Sequence, residues 1–483
     1  MKKTLALVLS ALMLASTLAS CGSSSSGSTV TGKTDDAYEV DTSEAVKTSG
    51  YQINEDLDLE EKVTLDVFGP GPFTSEDGVT DLVSGLYKPG FSEIIKRWNE
   101  LYPNVTLNIE PSSWDSWQSA ITTACLSGDV DVIMHGATMT DLTEDLAPYL
   151  EADPEYADSI YATASRRTTE DPSTYKVSGI SVALEPAIVW LDTEIFEHYG
   201  VELPTEDWTF DDMISIAQQL TGTDPVTGEQ TYGIQMFEAG KSNLWMNHML
   251  TSSSLGAKIY EYGATLADCK VNYMTEESIG GFEIIAELAK YASPESKEGV
   301  AVNTVLDGTN NWAMLPRQQA IMAHFEMEAS DMQDRYVPIT LPVCTAGDCE
   351  GKPTPFAGDN NMAIYKDSDN KEWAWEFIKF MTTDEVATQW IVENMMYPNN
   401  KEGKTFVEDL VGTDLTSMMD SALGSLPENF NNATNDVFNN VSFGSTTNTQ
   451  ITAVDNVING YMTPEEAAQS MQDYVDEYIS SLG

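Results

Sequence analysis

The chain has 483 residues, 41% of them hydrophobic, and its 77 acidic against 24 basic residues give a formal charge of −53. This length and apolar content predict a folded protein of two or three domains and exclude a disordered chain. A surface this negative repels phosphate backbones and anionic lipid headgroups, which argues against nucleic-acid binding and against electrostatic docking on membranes. Neutral or cationic ligands are therefore favoured.

Residues 1–20 have the pattern of an export signal. Two lysines precede an apolar stretch from Thr4 to Leu18, which ends in small residues and is too short for a comfortable membrane-spanning helix. The sequence LASCG at its end resembles the lipobox of bacterial lipoproteins, and by that resemblance Cys21 becomes the lipidated first residue of the mature protein. An ordinary signal with an unrelated cysteine is the alternative. Residues 21–59 are rich in serine and then acidic, so they are predicted to be a flexible tether.

The body begins with alternating strands and helices. Strands are predicted over Val63–Phe68, Val105–Ile109 and Val130–Met134. Helices are predicted over Phe91–Leu101, Trp117–Leu126 and Thr140–Leu150. The β-α-β-α-β order indicates an open, largely parallel sheet covered by helices.

A second unit begins near residue 180, and helices dominate it. Its predicted strands are Ile180–Leu191, Tyr232–Phe237, Ile321–Phe325 and Met362–Tyr365. Its predicted helices are Thr193–Tyr199, Phe210–Leu220, Leu244–Leu250, Ser278–Tyr291, Trp312–Gln319, Trp373–Met381 and Pro464–Leu482. No internal repeat is found.

Motifs for metals are missing from the sequence. No CxxC pair or HExxH motif occurs, so no zinc site is predicted, and no cofactor is expected. The letters GSTVTGKT at 27–34 match a P-loop pattern, but they lie in the predicted flexible tether, so no nucleotide-driven activity is predicted. Cys344 and Cys349 are close enough for a small disulfide, which the sequence leaves open. Asp367 and Asp369 could hold Ca²⁺, although a solvated acidic turn is favoured there.

Four stretches share the motifs of a known family, in the same order. They are the helix FSEIIKRWNELYP with the strand NVTLNIE and the following SAITTACLSGDVDVIM (Phe91–Met134), WLDTEIFEHYGVELPTEDWTFDDMISIAQQLT (Trp190–Thr221), Gln319–Phe325, and GDNNMAIYKDSDNKEWAWEFIKFM (Gly358–Met381). Together they resemble the extracellular solute-binding proteins, family 1, of bacterial ABC importers, which include maltose-binding protein. The resemblance covers residues 60 to about 400. Two departures are Val130 in place of a usual proline and Asp192 in place of a usual asparagine.

The resemblance implies an α/β protein with a two-lobe, periplasmic-binding-protein-like fold of class II. Each lobe would be a mostly parallel sheet covered by helices, with the ligand cleft at the hinge. The lobes are predicted over 60–183 plus 342–395 and over 184–341 plus 396–483. The chain is predicted to cross between them near Leu184–Pro186, Val337–Pro338 and Pro398.

The function implied by the resemblance is binding without chemistry. The chain would be a monomer on the extracellular face of the bacterial cell membrane, anchored through Cys21. It would capture a sugar or oligosaccharide by closure of its lobes and deliver it to the membrane permease of an ABC importer.

Sugar recognition requires aromatic faces together with directed polar partners, and the chain has 10 Trp, 20 Tyr and 15 Phe. Candidate ligand contacts are placed where predicted strands end or helices begin, and in the glycine-containing segment that lines the cleft in relatives. They are Trp114, Phe237, Glu238, Trp245, Trp312, Phe325, Glu326, Asp359, Asn360 and Asn361. His135 and Thr138 are further candidates at the end of the third strand, and Glu185 is predicted to belong to the hinge. Four tryptophans are predicted to be core residues: Trp98, Trp208, Trp373 and Trp375.

Other classes of protein remain as alternatives. A surface glycoside hydrolase needs two carboxylates about 5–10 Å apart, which no sequence with so many acids can reveal. The GxSxG motif that would support a serine hydrolase is not present. An adhesion or scaffolding lipoprotein would show repeats, which are not found. Within the binding class, a polyamine or a peptide is the alternative ligand, and tryptophans near predicted strand ends favour an oligosaccharide.

Overall fold

The structure, a computed structural model, describes residues 29–31, 51–70, 76–81, 85–112, 117–236, 244–297, 311–426 and 445–481. The strands in chain order are β1 (Thr29–Thr31), β2 (Val63–Pro70), β3 (Val79–Asp81), β4 (Tyr87–Lys88), β5 (Val105–Ser112), β6 (Val132–Met134), β7 (Thr163–Arg167), β8 (Tyr175–Pro186), β9 (Ile188–Asp192), β10 (Gly222–Thr223), β11 (Gln230–Ile234), β12 (Tyr260–Glu261), β13 (Lys270–Val271), β14 (Trp312–Arg317), β15 (Tyr336–Thr340), β16 (Ala357–Ile364) and β17 (Tyr397–Pro398).

Helices pack against each of the two larger sheets and form the last elements of the described chain. In chain order they are α1 (Ser92–Leu101), α2 (Trp117–Ser127), α3 (Ala147–Ala152), α4 (Pro154–Ser159), α5 (Thr193–Tyr199), α6 (Phe210–Gln219), α7 (Trp245–Ser254), α8 (Glu276–Leu288), α9 (Pro294–Lys297), α10 (Ala320–Ala329), α11 (Lys371–Thr383), α12 (Glu385–Glu393), α13 (Gly403–Val411), α14 (Thr413–Gly424), α15 (Ser445–Ile458) and α16 (Pro464–Ser481). Within the described ranges, no helix is both long and apolar enough to cross a bilayer.

The first sheet contains the predicted β-α-β-α-β unit. Its strand order is β17-β8-β16-β6-β2-β5, with β7 also paired to β8. Strand β2 is parallel to both β5 and β6, as the alternation predicts. The strands that return later in the chain are antiparallel, β16 to β6 and β8, and β17 to β8. The sheet is therefore parallel at its N-terminal side and mixed where the later strands join it.

Aromatic side chains fill the core of this first lobe. Trp98 is buried on α1 and packs edge-to-face on Phe377 of α11, with ring centroids 5.2 Å apart. Its indole nitrogen donates to the carbonyl of Val105 at 3.0 Å, so the buried N–H is satisfied. Trp373 and Trp375 are buried in the same core, as predicted. The apolar spacing on α1 therefore reflects packing and not ligand binding.

Packing against this core begins at Tyr51, before the predicted start of the body at residue 60. The Tyr51 ring is buried against Phe380, with centroids 5.6 Å apart. Its hydroxyl donates to the buried carboxylate of Glu376 at 2.9 Å, and the Asn54 amide donates to the same carboxylate at 3.0 Å. Several residues predicted to belong to the tether are therefore part of the folded lobe.

The second sheet has the order β10-β11-β14-β9-β15. Strands β11 and β14 are parallel, whereas β9 is antiparallel to both β14 and β15. Its core is built with helices α6, α7, α8, α15 and α16, and it includes Trp208, as predicted. The C-terminal helices thus pack on the second lobe.

Two predicted elements are interchanged in this lobe. The predicted helix Trp312–Gln319 is strand β14, and the predicted strand Ile321–Phe325 lies within helix α10. Both runs are short and apolar, and α10 is buried on most sides, so neither shows the one-sided pattern that separates helix from strand. Pro316, which argues against a central strand, lies beyond the part of β14 that pairs with β11.

The predicted helix Thr140–Leu150 is also wrong over most of its length, since only Ala147–Ala152 is helical. The amide of Glu144 donates to the carbonyl of Ile364 at 2.8 Å, which holds the segment along β16. The ammonium of Lys176 donates to the carbonyls of Thr140 and Thr143. These tertiary bonds replace the local ones of a helix.

The two sheets meet where β8 ends at Pro186 and β9 begins at Ile188. Strand β16 pairs with β8 from Ala357 onward, and β17 pairs with β8 at Leu184, so three segments lie together at this crossing. The predicted crossing at Val337–Pro338 falls inside β15 of the second sheet. The chain remains on the second core until Phe356 and joins the first sheet at Ala357.

A small disulfide loop lies on the second lobe within this segment. Cys344 and Cys349 are bonded to each other. The amide of Thr345 donates to the carbonyl of Ser254 at 2.8 Å, at the end of α7. Gly347 packs directly on Gly256, where a Cβ on Gly256 would approach the Gly347 amide nitrogen to 2.8 Å. The loop therefore supports the chain that leads from α7 to β12.

His248 is predicted to make the protein sensitive to acid. It is buried between α7 and α8, stacked on Phe282, and its Nε2–H donates to the carbonyl of Ser278 at 3.0 Å. Burial lowers its pKa to about 4. Below about pH 6.5 this imidazole is protonated in the unfolded chain but stays neutral in the folded protein. The free energy of unfolding therefore falls as the pH drops from about 6.5 towards 4. We expect a loss of about 2 kcal/mol between pH 7 and pH 5 from this group.

Urea unfolding at a series of pH values measures this effect. In His248→Gln the side chain no longer titrates, so the decline below pH 6.5 should become shallower, whatever the variant's stability at pH 7. An unchanged slope in the variant would show that His248 is not the group responsible.

Candidate functional site

The carboxyl ends of the parallel strands define the edge at which a ligand would bind. In the first lobe, β2, β5 and β6 end together at Pro70, Ser112 and Met134, because their registers are parallel. In the second lobe, β14 ends at Arg317, which pairs with Ile188 next to the crossing. Both edges therefore lie beside the segments that connect the lobes, and a crevice between the lobes is lined from both sides.

A buried ion pair lies at the centre of the first edge. The Arg166 side chain, 1% exposed on β7, places Nη2 at 3.1 Å from Oδ2 of Asp359 on β16. The hydroxyl of Ser181 donates to the other oxygen of Asp359 at 2.7 Å, and the amide of Asn361 donates to Oδ2 at 3.1 Å. The carboxylate thus has protein partners on both oxygens, and it fixes the hairpin β7–β8 to β16.

Asn361 extends this network to the end of β6. Its side-chain oxygen accepts from the amide of Ala137 at 2.9 Å, and its backbone carbonyl accepts from the amide of His135 at 2.7 Å. His135 adopts a left-handed backbone conformation, with φ 57°. Burial lowers the pKa of His135 to about 4, against the opposing effect of Asp359, so its ring is neutral at pH 7.

A second polar cluster joins the two lobes at the crossing. Glu185, near the end of β8, accepts from the side-chain amide of Gln318 at 2.8 Å and from that of Gln319 at 3.0 Å. Gly358 lies beside these groups, and a Cβ there would meet the Gln318 amide nitrogen at 2.0 Å. The hinge position of Glu185 agrees with the prediction for this residue.

Four buried side-chain atoms near the strand ends have no hydrogen-bond partner in the described part of the chain. They are Ser112 Oγ, Thr138 Oγ1, Gln235 Oε1 and Thr340 Oγ1. Ser112 and Thr138 lie at the carboxyl edge of the first sheet, whereas Gln235 and Thr340 follow or end β11 and β15 of the second. Leaving such a group unpaired costs about 1–3 kcal/mol, so each requires an explanation. All four groups are uncharged.

The predicted ligand contacts fall into three groups. Trp114, Phe237 and Glu238 lie outside the described residues. Asp359, Asn360 and Asn361 come together on β16, with Asp359 and Asn361 in the network above and Asn360 buried between them along the strand. Trp245, Trp312, Phe325 and Glu326 lie in the second lobe.

The four second-lobe residues are held by protein contacts. Trp245 begins α7 and packs, half-buried, against the second core. Trp312 and Phe325 are buried in a cluster with residues from both lobes. Glu326 is on helix α10 and not at a strand end as predicted, and it lies 3.4 Å from Arg317 in a largely buried ion pair. Their role in ligand binding stays a prediction.

Sequence reasoning missed Arg166, Ser181 and Gln235. Arg166 is separated from Asp359 by 193 positions, and no local pattern connects the two. Gln235 had a usable signal, because it is the polar residue in the otherwise apolar run Tyr232–Phe237. Among the described residues, no group of three or more His, Cys, Asp or Glu side chains is arranged to hold a metal ion.

The fold and the crevice define a two-lobe binding protein, and comparisons with known proteins identify its family. The sequence profile of the bacterial extracellular solute-binding proteins matches residues 84–388, more than half of the chain. The chain belongs to this family. The role of the family is to bind solutes and not to catalyse a reaction, so the prediction that this chain is not an enzyme is confirmed. A search of the curated proteins finds no match.

Solved structures confirm the predicted two-lobe fold. The substrate-binding protein Lmo0181 of Listeria monocytogenes, in complex with cycloalternan, is 19% identical over 87% of this chain and 100% of its own, with a TM-score of 0.60. A solute-binding protein of Agrobacterium radiobacter with ribitol is 15% identical over 86% and 99%, with a TM-score of 0.62. The sugar-binding protein MalE of Xanthomonas citri is 13% identical over 86% and 98%, with a TM-score of 0.63.

Proposed function

We propose that this chain is the lipid-anchored, substrate-binding component of an ABC importer for a sugar or oligosaccharide. The observation that carries the ligand class is the chemistry of the unpaired groups at the strand ends. Ser112, Thr138, Gln235 and Thr340 offer hydroxyl and amide groups from both lobes. A neutral, polyhydroxylated ligand satisfies such groups, because each of its hydroxyls can both donate and accept.

The charged groups near the crevice argue against a polyamine. Asp359 is paired with Arg166, Glu326 lies beside Arg317, and Glu185 accepts from two glutamine amides. A polycation needs carboxylates that are free to bind it, and these three already have partners within the protein. The ligands named for two of the solved relatives, cycloalternan and ribitol, are uncharged and rich in hydroxyls.

Ligand binding would close the two lobes about the crossing formed by β8, β16 and β17. Contacts from both lobes favour the closed state over the open one, and that difference in affinity drives closure. We place the lobe boundaries at this crossing, with the first lobe extending from Tyr51 to Pro186 and resuming at Ala357. A closed, loaded protein would then dock on the permease of the importer, with Cys21 holding it at the extracellular face of the membrane.

A thermal-shift screen of the full chain tests the ligand class, using mono- and oligosaccharides, polyamines and peptides. A ligand that binds only the folded state stabilises it by about 2.7 kcal/mol at a hundredfold excess over Kd. A shift with one sugar series, without new products on incubation, supports the proposal. A shift only with polyamines or peptides would overturn the ligand class, and shortened oligosaccharides would identify a hydrolase.

Gln235→Leu tests one of the proposed ligand contacts in the same experiment. The change removes a buried amide whose oxygen has no partner, so the ligand-free protein should be as stable as the wild type or more stable. The sugar affinity should nevertheless fall about three- to tenfold, because one hydrogen bond to ligand is lost. A variant that keeps full sugar affinity would remove Gln235 from the proposed site.

A further inference from the structure

The hairpin β7–β8 lies against the turn that follows β6 in the first lobe. Its register shifts between Ala164 and Ser165, an irregularity that bends the strand locally. At the bend, Gly179 lies against the turn Gly136–Thr138 that follows β6, and a Cβ there would be 3.1 Å from the Cβ of Ala137. The base of the hairpin therefore lies at the carboxyl edge of the parallel strands, and its tip reaches the second lobe, where Cζ of Arg167 lies over the ring of Tyr262.

Arg167 is at the tip of this hairpin, and its own lobe fixes its guanidinium. The side chain lies over the ring of Tyr175, its partner across the hairpin, at 4.3 Å from the ring centroid. Nη1 donates to the carbonyl of Pro172 at 2.7 Å, and Nη2 donates to the Tyr175 hydroxyl at 3.2 Å. The guanidinium is therefore oriented before anything from the other lobe reaches it.

The second lobe supplies the opposite face of this guanidinium. The ring centroid of Tyr262 lies 3.8 Å from Cζ of Arg167, so the cation is between two aromatic rings from different lobes. Tyr262 is stacked on Tyr260 of β12, with centroids 5.9 Å apart and planes inclined by 17°, and it packs against the second core. Both sides of the contact are thus anchored in their own lobes.

We propose that Arg167 is a positioning residue for ligand capture: with Tyr175 and Tyr262 it forms a clasp that holds the two lobes closed over the crevice. The attraction between a cation and an aromatic face is available only when the lobes are together, so it favours the closed state without any ligand. A protein that is already closed binds its ligand more tightly, because less of the binding free energy is needed to shift the lobes from the open to the closed state. The clasp should raise the ratio of closed to open protein about fivefold.

The distance between two spin labels, one in each lobe, measures closure directly. Lys96 on α1 and Val226 before β11 are well exposed, at 70% for the Lys96 side chain and 68% for Val226. Both are changed to cysteine in the full chain carrying Cys21→Ser, where Cys125 and Cys269 are buried and Cys344 is disulfide-bonded. Double electron–electron resonance is recorded without ligand.

Arg167→Ala and Tyr262→Leu are each expected to add a population at longer distance. Tyr262→Phe keeps the aromatic face and should match the wild type. Tyr461→Leu, a change of the same kind at a tyrosine that is 78% exposed, is the control and should also match the wild type. An unchanged distance distribution in both Arg167→Ala and Tyr262→Leu would overturn the clasp.

This inference rests on the two-lobe fold and not on the identity of the ligand. Because the measurement is made without ligand, its outcome is independent of the thermal-shift screen. If no sugar shifts the melting temperature, the clasp proposal is unaffected. If the spin-label distances do not change in the variants, the sugar proposal is unaffected.

Discussion

Asp359→Ala is expected to destabilise the protein by about 3–5 kcal/mol, because it leaves a buried guanidinium without its counter-charge. Arg166 is almost fully enclosed, and its Nη2 lies 3.1 Å from the carboxylate that would be lost. Ser181 and Asn361 would lose an acceptor as well. Urea unfolding, followed by circular dichroism, measures the loss. Sugar binding should disappear with it, because β16 and the hairpin β7–β8 are no longer fixed to each other.

Two further variants separate charge from shape at this position. Asp359→Asn keeps a side chain of the same size that can still accept one hydrogen bond, so its cost should be smaller than that of alanine. The double variant Arg166→Met with Asp359→Leu removes both charges and should recover much of the stability, since a buried ion pair is often no better than an apolar pair. A loss below 1 kcal/mol for Asp359→Ala alone would contradict the role of the ion pair.

The contrast between Asp359 and Arg166 shows what the sequence could predict at this site. Asp359 is a candidate ligand contact in the sequence because it follows Gly358 in a motif that also contains Asn360 and Asn361. Its partner could not be found, because ion pairs between distant strands depend on the register of β8 and β16, which is a tertiary property. The motif therefore groups Asp359, Asn360 and Asn361, which the structure places together on β16, but the carboxylate predicted to bind ligand is bonded within the protein, and the role of these residues in ligand binding stays a prediction.

Local signals explain which secondary elements were predicted well. Helix α5 was predicted over its whole length, since Asp192 caps its start through the amide of Ile195 and Gly200 ends it in a left-handed conformation. Helix α6 likewise begins at a capping box formed by Thr209 and Asp212. By contrast, the cap residue of α10, Gln319, makes no side-chain capping bond. Without a cap, and with burial on most sides, that helix had no local signature.

A chain that begins at residue 60 is expected to be less stable than one that begins at residue 50 by about 3–5 kcal/mol, the cost of deleting a large buried aromatic side chain. Tyr51 is 7% exposed, packs on Phe380 and donates to Glu376. Truncation also removes the amide of Asn54, so the buried carboxylate of Glu376 loses two donors at once. Composition could not reveal this, because a single tyrosine in an acidic segment does not change its polar character. Thermal and urea unfolding of the two chains measures the difference.

Point variants of the longer chain show which part of the segment is responsible. Tyr51→Ala should reproduce most of the loss. Tyr51→Phe keeps the ring on Phe380 and should cost only about 1 kcal/mol, since Tyr102 and Asn54 still donate to Glu376. If the chains that begin at residues 50 and 60 are equally stable, the folded lobe begins at residue 60, as the sequence predicts. If the shorter chain is weaker, residues 51–59 belong to the folded lobe and not to the predicted tether.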